Sequence, residues 1–345
     1  MKKEPLVAII ILNWNGFADS VECLTSLRNC TFKNYKIVLV DNGSTNTESY
    51  RLKEMFPEAH LICNKINRGF AGGNNDGMNW ALENGYEYIV NLNNDCLVEK
   101  DWLSKFIEGI TKAQADFASS RIMYYPEKHL ICSDGDALLL DGTGVIVNHL
   151  KTQAESGKIQ PIFSACGAGA IYSASCLEKI KIHGNQFYDE LYFAYFEDVD
   201  LGIRLNAKAC KGILVPDAVV YHKGAQSAGF HSFFQIFHTE KNRILNELLN
   251  YPLWLIPAGE LYYILRTVVS ISKKIMRPAK KQTRNVQQTE TYSSLSVIIK
   301  SRLWILSNFS KIWKDRQERK ARGLINKKIY KHFYRDFPTL LKTKK

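Results

Sequence analysis

The sequence of 345 residues lacks several features that would assign it to other classes of protein. Its eight cysteines are scattered with no CxxC pair, which argues against a zinc ribbon or a disulfide framework and favours a reducing compartment. The apolar run near the N-terminus is short and soon polar, so it predicts neither a signal peptide nor a membrane anchor. Residues 13–30 contain no lysine, which argues against the lysine-bearing phosphate loop that a nucleotidyltransferase would need there.

Negative charge is scarce in the last third of the chain. Residues 1–240 contain 22 Lys and Arg against 28 Asp and Glu, whereas residues 241–345 contain 24 against 6. This change in composition predicts two parts with different partners, a first domain at 1–240 and a basic, mainly helical region at 241–345. No module that binds nucleic acids is recognisable in the basic region, so we expect no nucleic-acid partner.

Three predicted strands each end in polar residues. The apolar runs Leu6–Leu12, Tyr35–Val40 and Tyr88–Leu92 are typical of buried parallel strands. A helical pattern separates the first two, which gives a βαβ unit and predicts an α/β fold. Ligands of such sheets bind beyond the carboxyl ends of the strands. The polar residues at these ends are therefore candidate ligand contacts; they are Asn13–Gly16, Asp41–Ser44 and Asn93–Asp95.

Asp41, Asp95 and His222 are the candidates with the clearest chemistry. Asp95, which two amides precede, would hold a divalent cation through oxygen ligands and leave open positions for phosphates. Asp41 would accept an N–H group of a nucleobase, and His222, at the end of an apolar run, would add a metal ligand. For all three the alternative is a turn residue or a structural side chain, and the residues alone leave both interpretations open.

The stretch Asn67–Asn75 is rich in glycine and precedes a helical pattern at Asp76–Asn84. A glycine-rich loop at a helix start presents backbone N–H groups that bind phosphate, and Arg68 would add a charged contact. We therefore predict a phosphate-binding loop, with a plain tight turn as the alternative.

A second candidate site follows an aromatic run, Tyr192–Phe196, which predicts either a platform for a sugar ring or a wedge in the core. Glu197 and Asp198 come next, at the start of a predicted helix. A carboxylate beside a sugar platform is suited to general base catalysis, whereas capping of the helix is the alternative role. Glu197, Asp200 and Arg204 share one face of this helix.

Seven short motifs occur in order over roughly residues 6–225: ILNWNG, VDNGSTN, NRGFAGGNNDG, LNNDCLV, CGAGAIY, YFEDVDLGIRL and VYHKG. By these motifs the chain resembles the family 2 glycosyltransferases, in particular the cytoplasmic bacterial group that includes rhamnosyltransferases of surface-polysaccharide assembly. The resemblance implies a GT-A fold, in which a Rossmann-like nucleotide-binding sheet merges with an acceptor-binding part. It also implies inverting transfer from a UDP- or dTDP-sugar to a hydroxyl of a saccharide acceptor, with Mg²⁺ or Mn²⁺. A sugar-nucleotide-binding protein without transferase activity is the alternative.

The resemblance also implies roles for single residues. Asp198 would be the catalytic base, Asp95 and His222 the metal ligands, and Asp41 the residue that binds the base of the donor. The first acidic position of the metal motif is Asn93 in this chain, so Asp95 is the only carboxylate that the motif supplies. The predicted nucleotide-sugar contacts are Asn13, Asn15, Asp41, Arg68, Gly69, Asn74, Asn93 and Asn94, and the predicted acceptor contacts are Gly167, Glu197 and Arg204.

The basic region is predicted to bind a membrane surface. Leu253–Ile275 is mostly apolar but interrupted by charges, and Leu295–Trp313 mixes apolar residues and tryptophan with Lys and Arg, a pattern typical of interfacial helices. We therefore expect a peripheral protein on the inner face of the bacterial cytoplasmic membrane, close to a lipid-linked acceptor. The alternatives are a helical appendage packed on the catalytic domain or an element of a homo-oligomer.

Overall fold

The computed structural model describes residues 4–45, 47–152, 158–224, 232–276 and 294–334, and it consists of two compact units. The sheet unit comprises the residues up to Ala137 together with Val145–Ser227, and the helical unit comprises Leu138–Gly144 together with the residues from Ala228 onward. The division falls after Ser227 and not at residue 240, and a short segment from the middle of the sequence joins the C-terminal helices.

The sheet unit is organised around one mixed ten-stranded sheet. The strands of this sheet are β1 (Val7–Asn13), β2 (Tyr35–Asp41), β3 (His60–Cys63), β4 (Tyr88–Asn93), β5 (Cys96–Val98), β6 (Phe117–Tyr124), β7 (Ile131–Ser133), β10 (Gln160–Pro161), β11 (Gly169–Ser173) and β12 (Gly212–His222). Two further short strands, β8 (Asp136–Leu138) and β9 (Gly144–Ile146), pair with each other outside this sheet. The strand order is β10-β12-β6-β11-β4-β1-β2-β3, with β5 beside β12 and β7 beside β6. The helices of this unit are α1 (Phe17–Arg28), α2 (Glu48–Met55), α3 (Gly69–Glu83), α4 (Trp102–Ala113), α5 (Ala174–Ile180) and α6 (Glu197–Ala207).

The first apolar run of the sequence forms β1, which lies between β4 and β2 in the sheet. It is parallel to both, and Val7 to Ile11 are completely buried. Because the three strands are parallel, their carboxyl ends meet at one edge: Asn13 is in register with Asp41, and Leu12 with Asn93. The expectation that the polar strand ends share one edge of the sheet is therefore confirmed.

The glycine-rich stretch is not a loop, and that prediction is wrong, because the stretch forms the first two turns of α3. A Cβ atom at Gly73 would lie 2.3 Å from Cδ1 of Leu12, and one at Gly77 would lie 2.5 Å from Cγ2 of Ile10. The glycines thus allow the backbone of the helix to lie directly on the side chains of Leu12 and Ile10 in β1.

The helical unit contains α7 (Phe233–Asn250), α8 (Ile256–Met276), α9 (Ser294–Ser307) and α10 (Phe309–Ala321), with short 3₁₀ turns at Leu253–Leu255 and Ile329–His332. The pattern predicted over 295–313 is divided at Asn308 into two helices. Residues 277–293 and 335–345 of the predicted basic region lie outside the described residues. Over the described ranges, none of the helices combines the length and the apolar character needed to cross a membrane.

The interior of the helical unit holds charged side chains. Arg243 of α7 is buried and forms ion pairs with Glu240, Glu247 and Glu260, at 3.4, 3.3 and 3.0 Å. Burial raises the pKa of Glu247 from 4.5 to about 9, and the nearby Arg243 only partly offsets this. The ion pair between Arg243 and Glu260 connects α7 to α8 at this point.

The segment Leu138–Gly144 completes this interior. Asp141 is fully buried and pairs with Arg266 of α8 at 2.6 Å. The carbonyl group of Gly142 accepts a hydrogen bond from Asn246, and that of Leu139 accepts one from the hydroxyl of Tyr251. The segment thus supplies an anion and carbonyl groups that partners on α7, α8 and the α7–α8 connection need.

The C-terminal end of α7 is capped by an arginine of α10. Arg316 donates hydrogen bonds to the carbonyl groups of Leu248 and Tyr251, at 2.6 and 2.7 Å. A cationic donor suits this position because the last carbonyl groups of a helix lack partners and carry partial negative charge.

Candidate active site at the carboxyl edge of the sheet

Asp95 and His222 form an ion pair at the ends of two strands. Asp95 follows β4, and His222 is the last residue of β12, where it is in register with Cys96 of β5. The Oδ1 atom of Asp95 lies 3.1 Å from Nε2 of His222. This buried oxygen accepts no hydrogen bond of normal geometry from the described residues. The two side chains thus converge as two ligands of one cation would.

The chemistry of the surrounding donors fits a divalent cation. Asn93 is half-buried at the end of β4, two residues before Asp95, and its side-chain amide offers an oxygen of the kind that divalent cations bind. The thiol of Cys96 lies within 4.8 Å of both ligand atoms. Burial raises the pKa of this thiol well above 9.0, so it stays neutral and is a poor ligand.

His222 is protonated in this ion pair. Burial lowers the pKa of His222, but the adjacent carboxylate of Asp95 and thiol of Cys132 outweigh that effect and raise the pKa from 6.5 to about 10. A cation that binds between Asp95 and His222 would therefore displace a proton from the imidazole.

Asn13 positions Asp41 and does not itself face a ligand, contrary to its predicted role. It is completely buried; its Nδ2 atom donates to Oδ1 of Asp41 at 3.1 Å, and its own Oδ1 accepts from Ser20 at 2.8 Å. Ser44 donates a second hydrogen bond to Oδ1 of Asp41. Oδ2 of Asp41 has no such partner among the described residues, so it can accept an N–H group of a ligand.

Asn15 and Asn94 connect the loops that surround this edge. Oδ1 of Asn15 accepts the backbone N–H of Thr45 at 2.9 Å, and Nδ2 of Asn94 donates to Oγ of Ser20 at 3.0 Å. Asn15 is exposed and Asn94 is half-buried, so both remain near the surface of the edge.

Arg68 and Gly69, two predicted nucleotide-sugar contacts, have partners within the protein. The guanidinium of Arg68 is paired with Asp76 and with Glu190, the latter at 2.7 Å. The N–H group of Gly69 donates to Oδ1 of Asn67 at 2.8 Å. The positive charge and the first N–H group of the helix are therefore already used within the protein.

Asn74 and Arg204, a predicted donor contact and a predicted acceptor contact, are both buried. Asn74 is 2% exposed and accepts a hydrogen bond from Asn91 of β4. Arg204 is fully buried, and it donates to Oδ2 of Asp200 and to the carbonyl group of Ile180, both at 2.9 Å. These hydrogen bonds connect Asn74 of α3 to β4 and Arg204 of α6 to the end of α5.

Asp198 is connected to the Asp95–His222 pair through three residues of chain, Cys166–Ala168. Its Oδ2 atom accepts the N–H group of Gly167 at 3.2 Å. The carbonyl group of the next residue, Ala168, accepts the N–H of Asn93 at 3.4 Å and the thiol of Cys96 at 3.5 Å. Burial raises the pKa of Asp198, and the hydrogen bond from Gly167 acts against this shift.

Asp136 is a neighbour of Asp198 that the sequence analysis missed. The ligand atoms of Asp136, Cys166 and Asp198 all lie within 4.8 Å of one another. Burial raises the pKa of Asp136 well above its usual range, and the negative charges of Asp198 and Glu197 raise it further. Burial thus favours a proton on this pair, and Asp136, with two negative neighbours, is the member that binds it more readily. No motif marks Asp136, because only the folding of β8 brings it beside α6.

The aromatic run before α6 is divided between the two predicted roles. Tyr192 is buried and bonds through its hydroxyl to Asp200, so it belongs to the core. Phe193, Tyr195 and Phe196 are half-buried and have positive φ angles of 65°, 69° and 63°. Left-handed conformations of this kind are costly for aromatic residues and persist where the surroundings enforce them, often at functional sites.

Comparison with known proteins gives a family for the chain. Residues 8–180, half of the chain, match the family described as Glycosyl transferase family 2. Among curated proteins, the glycosyltransferase GlyA of Streptococcus pneumoniae serotype 4 is 26% identical over 183 residues, which are 51% of this chain and 25% of that protein. The N-acetylglucosaminyl-diphospho-decaprenol L-rhamnosyltransferase of Mycobacterium tuberculosis (strain CDC 1551 / Oshkosh) is 24% identical over 228 residues, 60% of this chain and 72% of that protein. The chain thus spans only a quarter of the length of the first relative.

A solved structure supports the same conclusion at the level of the fold. The crystal structure of GalNAc-T7 with UDP, GalNAc and Mn²⁺ matches with a TM-score of 0.58 and 13% identity, over 79% of this chain and 52% of that chain. The predicted GT-A fold, with a helical region after it, is confirmed. The sheet and the family match therefore lead to the same conclusion: the chain belongs to glycosyl transferase family 2.

Proposed function

We propose that the protein is an inverting glycosyltransferase of bacterial surface-polysaccharide assembly. It moves a sugar from a UDP- or dTDP-sugar to a hydroxyl group of a lipid-linked saccharide at the inner face of the cytoplasmic membrane. The name of the mycobacterial relative supports a lipid-linked acceptor and rhamnosyl transfer.

One observation carries the proposal: the segment Cys166–Ala168 contacts both a candidate base and a candidate cation site. Gly167 bonds to Asp198, and Ala168 bonds to Asn93 and Cys96 beside the Asp95–His222 pair. Sugar transfer needs a base for the acceptor and a stabiliser of the leaving diphosphate within the length of one substrate. This arrangement meets that requirement.

Asp198 is the proposed general base. Backbone N–H groups of Gly167 and Val199 hold its two oxygens at 3.2 and 2.8 Å, and this fixes the direction of the carboxylate. A base with a raised pKa binds a proton well enough to accept it from an acceptor hydroxyl. The hydroxyl oxygen attacks the anomeric carbon on the face opposite the diphosphate, so a single displacement inverts the configuration.

Asp95, His222 and Asn93 would hold the divalent cation. When bound, the cation neutralises charge that develops on the departing diphosphate. The imidazole nitrogen in the set favours Mn²⁺ over Mg²⁺, which is bound almost entirely through oxygen. Asp41, fixed by Asn13 and Ser44, accepts an N–H group of the uracil or thymine base through its free Oδ2.

The replacement Asp198→Asn tests this function. A panel of nucleotide-sugars is first screened for thermal protection of the wild-type protein, and transfer from the protective donor to a lipid-linked saccharide is then measured. We expect turnover to fall by about 10²-fold or more, because the amide cannot accept the proton, while donor binding persists.

The exposed Asp217 provides a matched control. Asp217→Asn makes the same chemical change away from the strand ends and should leave turnover unchanged. If Asp198→Asn retains activity within a few-fold of the wild type, Asp198 is not the base. If no nucleotide-sugar protects the protein, the proposed function is wrong as a whole.

A further inference from the structure

The helical unit presents apolar side chains to solvent in two ordered rows. Leu261, Ile264, Leu265 and Val268 of α8 are 58%, 55%, 46% and 58% exposed. Their spacing of three, four and seven residues puts them on one face of the helix. Ile299, Leu303 and Leu306 of α9 are 49%, 59% and 69% exposed and are again spaced by four and seven. We call these seven residues the apolar stripes.

The opposite face of α8 carries the polar groups that packed helices usually turn to solvent. Glu260 pairs with Arg243, and Arg266 pairs with the buried Asp141. The guanidinium of Arg243 also lies 3.9 Å from the centre of the Tyr263 ring. The usual arrangement, with an apolar face inward and a charged face outward, is thus reversed in α8. Isolated exposed leucines are normal, but ordered rows of them indicate a surface that is covered in use.

The charges on the surface of this unit indicate what covers it. Every acidic side chain in its described part is buried or half-buried: Asp141, Glu240, Glu247, Glu260, Asp315 and Glu318. Exposed lysines occur along the same helices and the residues after them: Lys300, Lys311, Lys314, Lys320, Lys327, Lys328 and Lys331. The solvent-facing ionic surface of the unit is therefore positive throughout the described residues.

Apolar rows among lysines, with no exposed acid, match an anionic lipid surface. Acyl chains accept the leucine, isoleucine and valine side chains, and anionic headgroups accept the lysines, whose long aliphatic stems reach from one layer to the other. Trp254, 65% exposed before α8, and Trp313, 41% exposed on α10, are of the type that prefers the boundary between these layers. A second copy of the chain, docked symmetrically, would instead set lysines against lysines.

We propose that the helical unit binds anionic membrane surfaces by inserting the apolar stripes of α8 and α9 between lipid headgroups. The binding does not depend on sugar transfer, so it is tested separately from the proposed function. It also needs no helix that crosses the bilayer, since the stripes lie along helices that rest in the interface.

Flotation with lipid vesicles tests the proposal on the full chain. At low salt we expect the protein to float with vesicles of phosphatidylcholine and phosphatidylglycerol, and to bind vesicles of phosphatidylcholine alone less well. High salt should release only part of it, because salt screens the lysines but not the apolar insertion. Protein that stays with the unbound fraction on anionic vesicles at low salt overturns the proposal.

A double substitution on one stripe is the sharper test. Leu261→Gln with Val268→Gln removes two exposed apolar side chains of α8, and glutamine preserves helix propensity. We expect the vesicle partition coefficient to fall by roughly tenfold or more. The matched control is Tyr50→Gln with Met55→Gln, which removes two exposed apolar side chains, 68% and 45% exposed, from α2 of the sheet unit. The control should bind vesicles like the wild type.

Two results would overturn the role of the stripe. Both double variants are first compared with the wild type by circular dichroism, and all four positions are exposed, so folding should be unchanged. A stripe variant that floats as well as the wild type would show that the lysines alone suffice. An oligomer seen by sedimentation without lipid, and dissolved by the stripe variant, would assign the stripe to a second copy of the chain.

Discussion

The two units of this protein use polar residues in opposite ways. In the sheet unit, β1 is apolar and buried from Val7 to Ile11, and the polar residues gather where the strands end. In the helical unit, Arg243 and Asp141 are buried, while leucines of α8 face outward. The sheet unit therefore gathers a set of polar groups at one edge of the sheet in addition to those that join its helices, whereas Arg243 and Asp141 of the helical unit join helices. Substitutions should separate these uses, with effects on stability in one unit and on binding or catalysis in the other.

The largest effect is expected for Arg243→Met. This change leaves Glu240, Glu247 and Glu260 facing one another without their shared cation. Removing one member of a buried ion pair costs about 3–5 kcal/mol, so we expect the free energy of unfolding to fall by that amount. Urea denaturation measures it, with the exposed Lys311→Met as control. A loss below about 1 kcal/mol would mean that apolar packing and not ion pairing holds α7 and α8 together.

Asp95→Asn should weaken nucleotide binding and leave the stability of the protein little changed, the opposite of Arg243→Met. The amide has nearly the same shape as the carboxylate but lacks the charge that would balance a cation beside His222. We expect UDP or dTDP to bind roughly tenfold or more weakly in Mn²⁺, with binding in EDTA and the unfolding free energy little changed. Calorimetric titration of both proteins measures this difference, and Asp217→Asn serves as control. Equal loss of binding with and without metal would contradict a cation site at Asp95.

A pH-dependent effect, small within any one pH unit, is expected for Glu247→Gln. Arg243, Glu260 and Asp141 face Glu247, and burial raises its pKa from 4.5 to about 9. A raised pKa means that the folded state binds the proton more tightly, so this stabilisation is complete below about pH 4.5 and is lost as the pH rises through about 9. The variant has no such proton to lose. Its stability relative to the wild type should therefore increase across this window, by at most about 1.4 kcal/mol per pH unit.

Thermal denaturation of both proteins across that pH window measures the effect. Parallel pH profiles of the two proteins would show that Glu247 is already ionised in the folded protein. In that case the three carboxylates around Arg243 would all be charged, and the interior of the helical unit would be an ordinary network of ion pairs.

The smallest effect is expected for Asp136→Leu, which should move only the pH dependence of transfer. The protonated Asp136 lowers the pKa of Asp198 by hydrogen bonding, whereas burial raises it; Glu197 and Cys166 are the other titratable neighbours. Without Asp136 the pKa of Asp198 rises, so activity is lost at higher pH on the acidic side of the kcat/KM profile. Asp136→Asn keeps a donor and should behave like the wild type. Identical profiles for Asp136→Leu and the wild type would exclude this coupling.

The sequence predicted the strand ends well and the contacts of single side chains less well. Buried parallel strands have a strong local signature, so Asp41, Asn93 and Asp95 lie at the shared edge as expected. The helix over Gly69–Asn75 was missed because glycine is a poor helix former, and only the packing against Ile10 and Leu12 shows why it is needed. That reason belongs to the tertiary structure and leaves no trace in local propensity.

The partners of arginine were the least predictable feature. Arg68 and Arg204 stand beside residues that suggest ligand contacts, yet both are neutralised by carboxylates from the protein. The carboxylate Glu190 is 122 residues away from Arg68 in the sequence. In the same way, the excess of positive charge after residue 240 suggests a solvated surface, although Arg243, Arg316 and Arg319 are buried.

The position of Leu138–Gly144 in the sequence has a consequence for how this protein can be divided. A gene fragment that begins at Ala228 encodes helices α7 to α10 but not Asp141, the counter-ion of Arg266, nor the carbonyl group of Gly142 that Asn246 needs. During synthesis this segment leaves the ribosome before α7 and α8, so its contacts with Asn246 and Arg266 can form only after those helices have been made. The helical unit therefore cannot be transferred intact to another gene by recombination at a single point. Its transfer requires two separate stretches of the gene.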